Sequence, residues 1–178
     1  KITPSTLASP ASATSVLISS SVTALSGAVL KPNRRKIIRV EKSRNQTTGV
    51  PTLETTFMIG AMKQAGIVAI SDDGRPVMNS RVMRRAMELA AGWNIPVIDH
   101  CEDLNLSAGG DMHEGSTSVR RGLRGIPSAS EDVMVARDIL LAEVTGARFH
   151  VAHISTTNAV RMVAYARAKG LAVSCEVT

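Results

Sequence analysis

The sequence has few aromatic residues and few cysteines, and it has no long apolar run. Aromatic side chains make up 2% of its 178 residues, and this scarcity argues against nucleic-acid binding by base stacking. The two cysteines, Cys101 and Cys175, are too few for a disulfide scaffold and indicate a reducing compartment, so we expect a cytoplasmic protein. No apolar run approaches the roughly 20 residues of a membrane-spanning helix, so we expect no membrane partner.

Acidic residues are also missing from the start of the chain, where none precedes Glu41. Residues 1–54 carry the whole net charge of +6, and residues 55–178 are neutral overall. The first segment is rich in Ser, Thr and Ala and has few large apolar groups, so we predict a disordered basic tail over 1–54. Such a composition is also typical of an organelle transit peptide, which would direct the protein to an organelle. A further interpretation is that residues 1–54 are unrelated sequence joined to an enzyme segment.

From about residue 55 the chain alternates short apolar runs with amphipathic segments. This order predicts an α/β fold with a parallel sheet and right-handed crossovers. The chain is shorter than the roughly 250 residues of a complete eight-stranded (β/α) barrel. The predicted strands are 66–73, 96–100, 148–155 and 171–177, and the predicted helices are 79–93, 130–145 and 157–169, with a long polar segment over 102–128.

Three of the predicted strands end in side chains that can bind a metal ion. The first ends in Asp72 and Asp73, the second ends in Asp99 and His100, and the third carries His153. The C-terminal ends of parallel strands meet at one edge of the sheet and form the site in such folds. Carboxylate oxygens and imidazole nitrogens suit Zn²⁺ and related divalent ions. Because neighbouring strand residues point to opposite faces, only one of the first two acids can face inward.

Alternation along a strand also assigns roles to the neighbouring residues. His150 and His153 are three apart and are therefore expected on opposite faces, with His153 as the ligand and His150 as a packing residue. The same reasoning turns Cys101 away from the histidine that precedes it, which favours a buried structural thiol over a nucleophile. Asp72 and Asp99 either orient the ligands or are simple turn acids.

Seven short motifs, in this order and at matching spacing, resemble bacterial dihydroorotases of class I. The resemblance runs from about residue 60 to residue 178. The motifs are SDDGRPVMN at 71–79, DHCED at 99–103, HEG at 113–115, GIPSASE at 125–131, ARD at 136–138, HVAHIS at 150–155 and CEVT at 175–178.

The resemblance implies a TIM-like (β/α) barrel of the metal-dependent hydrolase type, about half of which is present as residues 55–178. It implies that Asp73, His100 and His153 bind one or two Zn²⁺ ions. The implied reaction is the reversible cyclisation of N-carbamoyl-L-aspartate to dihydroorotate in pyrimidine biosynthesis, by a metal-activated water. The partners implied are this small-molecule substrate and either a second copy of the chain or aspartate transcarbamoylase.

Parts of the family's pattern are missing. No histidine precedes His100, so the His-x-His pair and the substrate-binding Arg beside it are absent, and the general base is expected beyond Thr178. Catalytic and substrate-binding residues therefore stay unassigned, and we expect an inactive fragment. Two alternatives are open. One is another cyclic amidohydrolase, such as allantoinase or dihydropyrimidinase, and the other is a non-catalytic dihydroorotase-like scaffold for aspartate transcarbamoylase.

Overall fold

Parallel strands form the frame of the molecule. The structure is a computed structural model that describes residues 17–18, 36–40, 53–72 and 74–177. Its strands are β1 (Leu17–Ile18), β2 (Lys36–Val40), β3 (Ile67–Ser71), β4 (Val97–Asp99), β5 (Met112–His113), β6 (Gly125–Ile126), β7 (Phe149–Ile154) and β8 (Val173–Val177). Within the described residues, one sheet has six strands in the order β1-β2-β3-β4-β7-β8, with every neighbouring pair parallel.

Capping residues in the sequence account for some of the helix ends. They are α1 (Leu53–Gln64), α2 (Ser80–Gly92), α3 (Leu104–Ser107), α4 (Ser116–Arg121), α5 (Ala129–Thr145) and α6 (Thr157–Ala168). The Asn79 side chain accepts hydrogen bonds from two backbone N–H groups at the start of α2, and Asn79 is also the first residue of the predicted helix 79–93. Gly146 ends α5 with a φ of 68°, a conformation that favours glycine. Among the helices that the structure describes, none has the length and apolarity to span a membrane.

The hydrophobic core lies between the sheet and its helices. Ile70 on β3 and Val151 on β7 are fully buried, and Met87 and Val135 cover them from α2 and α5. Phe149, at the start of β7, is 1% exposed. Removing such side chains from water is the main favourable contribution to the stability of this fold.

The long polar segment after β4 has more structure than predicted. It contains α3, α4 and a separate parallel pair formed by β5 and β6. The Asp103 carboxylate accepts from the backbone N–H of Asn105 at 2.8 Å and starts α3. A side chain at Gly125 would come within 2.6 Å of Glu114, so β6 can approach this loop only because position 125 is glycine. Short elements of two to six residues leave no periodic apolar pattern, which is why the sequence did not predict them.

The predicted tail over residues 1–54 lies mostly outside the described residues. Within it the structure describes β1 and β2, and β2 pairs with β3 through registers such as Ile38 with Ile70. Disorder of the remaining tail, its boundary at residue 54 and its use as a transit peptide stay predictions.

Two valines on α5 test the position of the core. Val135 is fully buried, whereas Val144 on the same helix is 71% exposed. Val135→Ala is expected to lower the free energy of unfolding by about 2 kcal/mol, because it removes buried methyl groups and leaves a cavity. Val144→Ala is the matched control and should change it by less than about 0.5 kcal/mol. Urea unfolding of both proteins checks this, and equal losses would contradict the assigned core.

Candidate metal centre

Two histidines from neighbouring strands meet at the carboxyl edge of the sheet. His100 directly follows β4 and His153 lies near the end of β7, and these two strands pair in parallel. His100 Nδ1 lies 3.0 Å from His153 Nε2. The ring planes are inclined by 67°, with the centroids 4.8 Å apart. Both side chains are only partly buried, so a small ion or substrate can reach them.

An irregularity in β7 brings His153 to this place. The register with β8 shifts between Val151 and Ile154, and the φ of His153 is 35°. A non-glycine residue in this left-handed region is uncommon and costs conformational energy. His150 lies between the buried Phe149 and Val151, whereas His153 directly precedes the buried Ile154.

Both histidines of β7 therefore leave the strand on the side away from the core. The predicted alternation, which put His150 and His153 on opposite faces, is wrong because the irregularity adds a residue between them. His150 does not reach the pair of histidines at the strand end. Its Nδ1 lies 2.8 Å from the hydroxyl of Ser174 on β8.

Glu102 fixes the orientation of His100, and the sequence analysis missed it. Its Oε2 lies 2.8 Å from His100 Nε2. Hydrogen bonds from Ser107 and His100 lower the pKa of Glu102, so its carboxylate is ionised and accepts. With Nε2–H donating to Glu102, the Nδ1 lone pair of His100 faces His153. The i, i+2 spacing from His100 was a signal that could have identified this residue.

The distance between the two imidazole nitrogens is suited to a shared cation. Two nitrogens bound to one tetrahedral Zn²⁺ at about 2.0–2.1 Å would lie about 3.3 Å apart, and His100 Nδ1 and His153 Nε2 are 3.0 Å apart. At this distance one ring can donate its N–H to the other as a hydrogen bond, and a cation bound by both nitrogens would take the place of that proton. A small movement of one ring is enough to place both nitrogens on one metal ion.

Asp73, the carboxylate expected as the third ligand, lies outside the described residues. Its neighbour Asp72 is 2% exposed. Asp72 Oδ1 accepts from the backbone N–H of His100 at 2.9 Å, and Oδ2 accepts from that of Val77 at 2.8 Å. Asp72 therefore joins the ends of β3 and β4 and holds the backbone that carries His100.

A second group of acidic residues is fully buried, and one of them, Asp99, directly precedes His100. Asp99 and Asp138 are both fully buried. Arg137 donates to both oxygens of Asp138, at 2.7 and 2.8 Å, and to the carbonyl oxygen of Val77 at 2.7 Å. Cys101 Sγ donates to Asp99 Oδ2 at 3.0 Å, and Asp99 Oδ1 has no hydrogen-bond partner among the described residues.

Burial controls the protonation of this second group. It raises the pKa of Asp99 well above its usual value, and the neighbouring Asp72 and Asp138 raise it further. Burial also raises the pKa of Asp138, although Arg137 opposes this, and it raises that of the Cys101 thiol. Ligand atoms of Asp99, Cys101 and Asp138 lie within 4.8 Å of one another and could hold a metal ion. The guanidinium on Asp138 and the protonated thiol make this group a weaker cation site than the two histidines.

Solved structures of similar shape define the class of fold. The chain superposes on dihydropyrimidinase from Brevibacillus agri NCHU1002 with a TM-score of 0.58 and 17% identity, over 80% of this chain and 32% of that one. For L-hydantoinase (dihydropyrimidinase) from Arthrobacter aurescens the TM-score is 0.54 with 20% identity, over 72% and 30% of the two chains. The chain therefore shares part of the fold of these structures, which agrees with the expected TIM-like (β/α) barrel.

Sequence comparison then identifies the family. The model of the family described as dihydro-orotase-like matches residues 28–159, and the chain belongs to this family. It is 75% identical over 125 residues to a dihydroorotase of Solibacter usitatus, covering 70% of this chain and 29% of that protein. It is 59% identical over 119 residues to a dihydroorotase of Pelotomaculum thermopropionicum, covering 67% and 28%. The chain thus spans less than a third of the length of these curated relatives.

The two cysteines should differ in reactivity. Cys101 is buried with a raised thiol pKa, and Cys175 is exposed. A thiol-specific disulfide reagent at neutral pH is expected to modify one thiol per native chain rapidly and the second only on unfolding, because the thiolate is the reactive species. Cys175→Ser should abolish the rapid phase. Rapid modification of the Cys175→Ser protein would contradict the assignment of Cys101 as a structural thiol.

Asp99 should make stability depend on pH. Its raised pKa means that the folded chain binds a proton that the unfolded chain releases above the ordinary carboxyl pKa of about 4. The contribution of Asp99 to stability is therefore greatest below that pH and is lost as pH rises towards its folded-state pKa. Asp99→Asn should make this decline shallower, as measured by urea unfolding between about pH 5 and pH 8. Glu143→Gln, at an exposed position of α5, is the control, and an unchanged slope in Asp99→Asn would contradict the protonated carboxyl.

Proposed function

We propose that this chain forms part of the active site of a zinc-dependent dihydroorotase. The reaction is the reversible cyclisation of N-carbamoyl-L-aspartate to dihydroorotate in pyrimidine biosynthesis. The observation that carries the proposal is the approach of His100 Nδ1 to His153 Nε2, 3.0 Å apart at the carboxyl edge of a parallel sheet. The 75% identity to a protein named dihydroorotase supports the choice of substrate.

His100 and His153 are proposed to bind the metal ion, with Asp73 as a third ligand. The support for Asp73 comes from its position two residues after β3, whose C-terminal end lies beside that of β4. The chain's own residues prepare the histidines: Glu102 holds the His100 tautomer and Asp72 holds its backbone N–H. When bound, a divalent metal polarises an amide carbonyl and lowers the pKa of a water molecule.

Several finer points of the proposal follow from the family and the thiol chemistry. Zn²⁺ suits two imidazoles and a carboxylate, and one or two ions are proposed. Cys101 and Cys175 are both free thiols, which supports a cytoplasmic location. Assembly with a second copy or with aspartate transcarbamoylase stays a prediction, which size-exclusion chromatography of the protein alone and with that enzyme can test.

Zinc binding to the 178-residue chain tests the two histidines. His100→Ala and His153→Ala should each weaken Zn²⁺ binding by more than about 100-fold, beyond the loss typical of groups that only orient a ligand. His113→Ala is the matched control, because His113 is exposed and lies on β5, in the separate pair of strands. Titration against a chromophoric chelator gives the affinities. Equal binding by all four proteins would remove His100 and His153 from the proposed site.

The reaction is tested with the polypeptide expressed from its complete reading frame. With Zn²⁺ it should hydrolyse dihydroorotate and leave allantoin and dihydrouracil unchanged. A preference for either of the other two cyclic amides would favour a different amidohydrolase. A whole protein that binds no metal and turns over no substrate would favour the scaffold for aspartate transcarbamoylase.

A further inference from the structure

The turn that follows His153 is held by a carboxylate from another element. Glu131 lies in the first turn of α5, and its oxygens accept from the backbone N–H groups of Ser155 and Thr156, each at 3.0 Å. The Ser155 hydroxyl also donates to Glu131, and Thr156 Oγ1 lies 3.1 Å from its Oε1. One side chain thus binds the backbone of two consecutive residues and the hydroxyl of Ser155, while the Thr156 hydroxyl also lies 2.5 Å from Asp132 Oδ1.

The same turn connects His153 to the start of α6. Ser155 follows His153 by two residues, and Thr156 caps α6 by accepting from the backbone N–H of Ala159 at 3.2 Å. Asp132 reinforces the contact, because its carboxylate accepts from Asn158 Nδ2 at 3.0 Å. The chain is therefore fixed from the second residue after His153, whose φ is 35°.

A strained backbone conformation persists only where the surrounding structure determines it. A non-glycine residue in the left-handed region carries a conformational cost that the rest of the structure must offset. Hydrogen bonds to an ionised carboxylate are roughly twice as strong as those between neutral groups. Glu131 accepts from Ser155 and Thr156, which lie two and three residues after the strained His153. Glu131 also belongs to a helix that packs against β7 through the core.

We infer that Glu131 is a positioning residue, which holds His153 in its left-handed conformation and so sets the approach of its Nε2 to His100 Nδ1. This inference rests on the proposed metal centre for its functional consequence. The effect of Glu131 on His153 passes through the backbone of Ser155 and Thr156. A contact that only stabilised the fold would affect unfolding and leave the geometry of His153 unchanged.

The test compares Glu131→Gln with Glu143→Gln in the 178-residue chain. Both residues lie on α5, and Glu143 is at an exposed position. The first measurement is the ¹³Cα chemical shift of His153 in the metal-free chain, which reports its backbone conformation. Glu131→Gln should move this shift from the left-handed towards the extended range, whereas Glu143→Gln should leave it at the wild-type value.

The second measurement is the affinity for Zn²⁺, from the same chelator competition. Glu131→Gln should weaken binding by about 10- to 100-fold, the range found for groups that orient a metal ligand. Val163→Ala is the control for stability, because it removes buried methyl groups from α6 away from the turn. Val163→Ala should lower the melting temperature without changing either the His153 shift or the zinc affinity.

The two measurements separate a failure of the inference about Glu131 from a failure of the proposed function. If Glu131→Gln lowers only the melting temperature, as Val163→Ala does, Glu131 is a structural contact and the inference is overturned. If the wild-type chain binds no Zn²⁺, the proposed function fails, and the chemical shift of His153 in the metal-free chain still decides for or against Glu131.

Discussion

The approach of His100 to His153 depends on the parallel register between β4 and β7. Asp99, the last residue of β4, pairs with Val151, so a regular continuation would place Ala152 opposite His100. The shift in β7 advances the chain by one residue and presents His153 instead. The candidate centre thus arises from one sheet register together with one local departure from it, and both are required.

The charged side chains near the histidines fall into two groups with different roles. Glu102, Asp72 and Glu131 accept hydrogen bonds from groups that carry or adjoin the histidines, and each therefore fixes a direction. In the second group, Asp99 and Asp138 are buried, and hydrogen bonds from Arg137 link Asp138 to the turn after β3. Burial raises the pKa of Asp99, and a proton on this carboxyl would reduce the repulsion between the neighbouring acids.

Regular features of the fold were predictable from the sequence, and local irregularities were not. The strands at 67–71, 97–99 and 149–154 and the cap at Asn79 followed from apolar runs and helix signals, because burial and capping act on neighbouring residues. The choice of His100 and His153 for one site followed from strand ends meeting at one edge. The face of His150 was predicted wrongly because a shift of register leaves no trace in an alternating pattern. The sequence placed Glu131 in the predicted helix 130–145 and the motif at 125–131 but did not predict its contacts, because its partners lie 24 and 25 residues away along the chain.

At position 153 the left-handed backbone favours glycine, whereas the proposed metal centre requires histidine. Glycine would adopt a φ of 35° without strain, but it would offer no imidazole. Any other side chain would keep the strain and lose the imidazole that we propose as a metal ligand. Selection for the most stable fold and selection for the proposed metal centre therefore favour different amino acids there, and natural variants with glycine at 153 would mark lineages without this proposed centre.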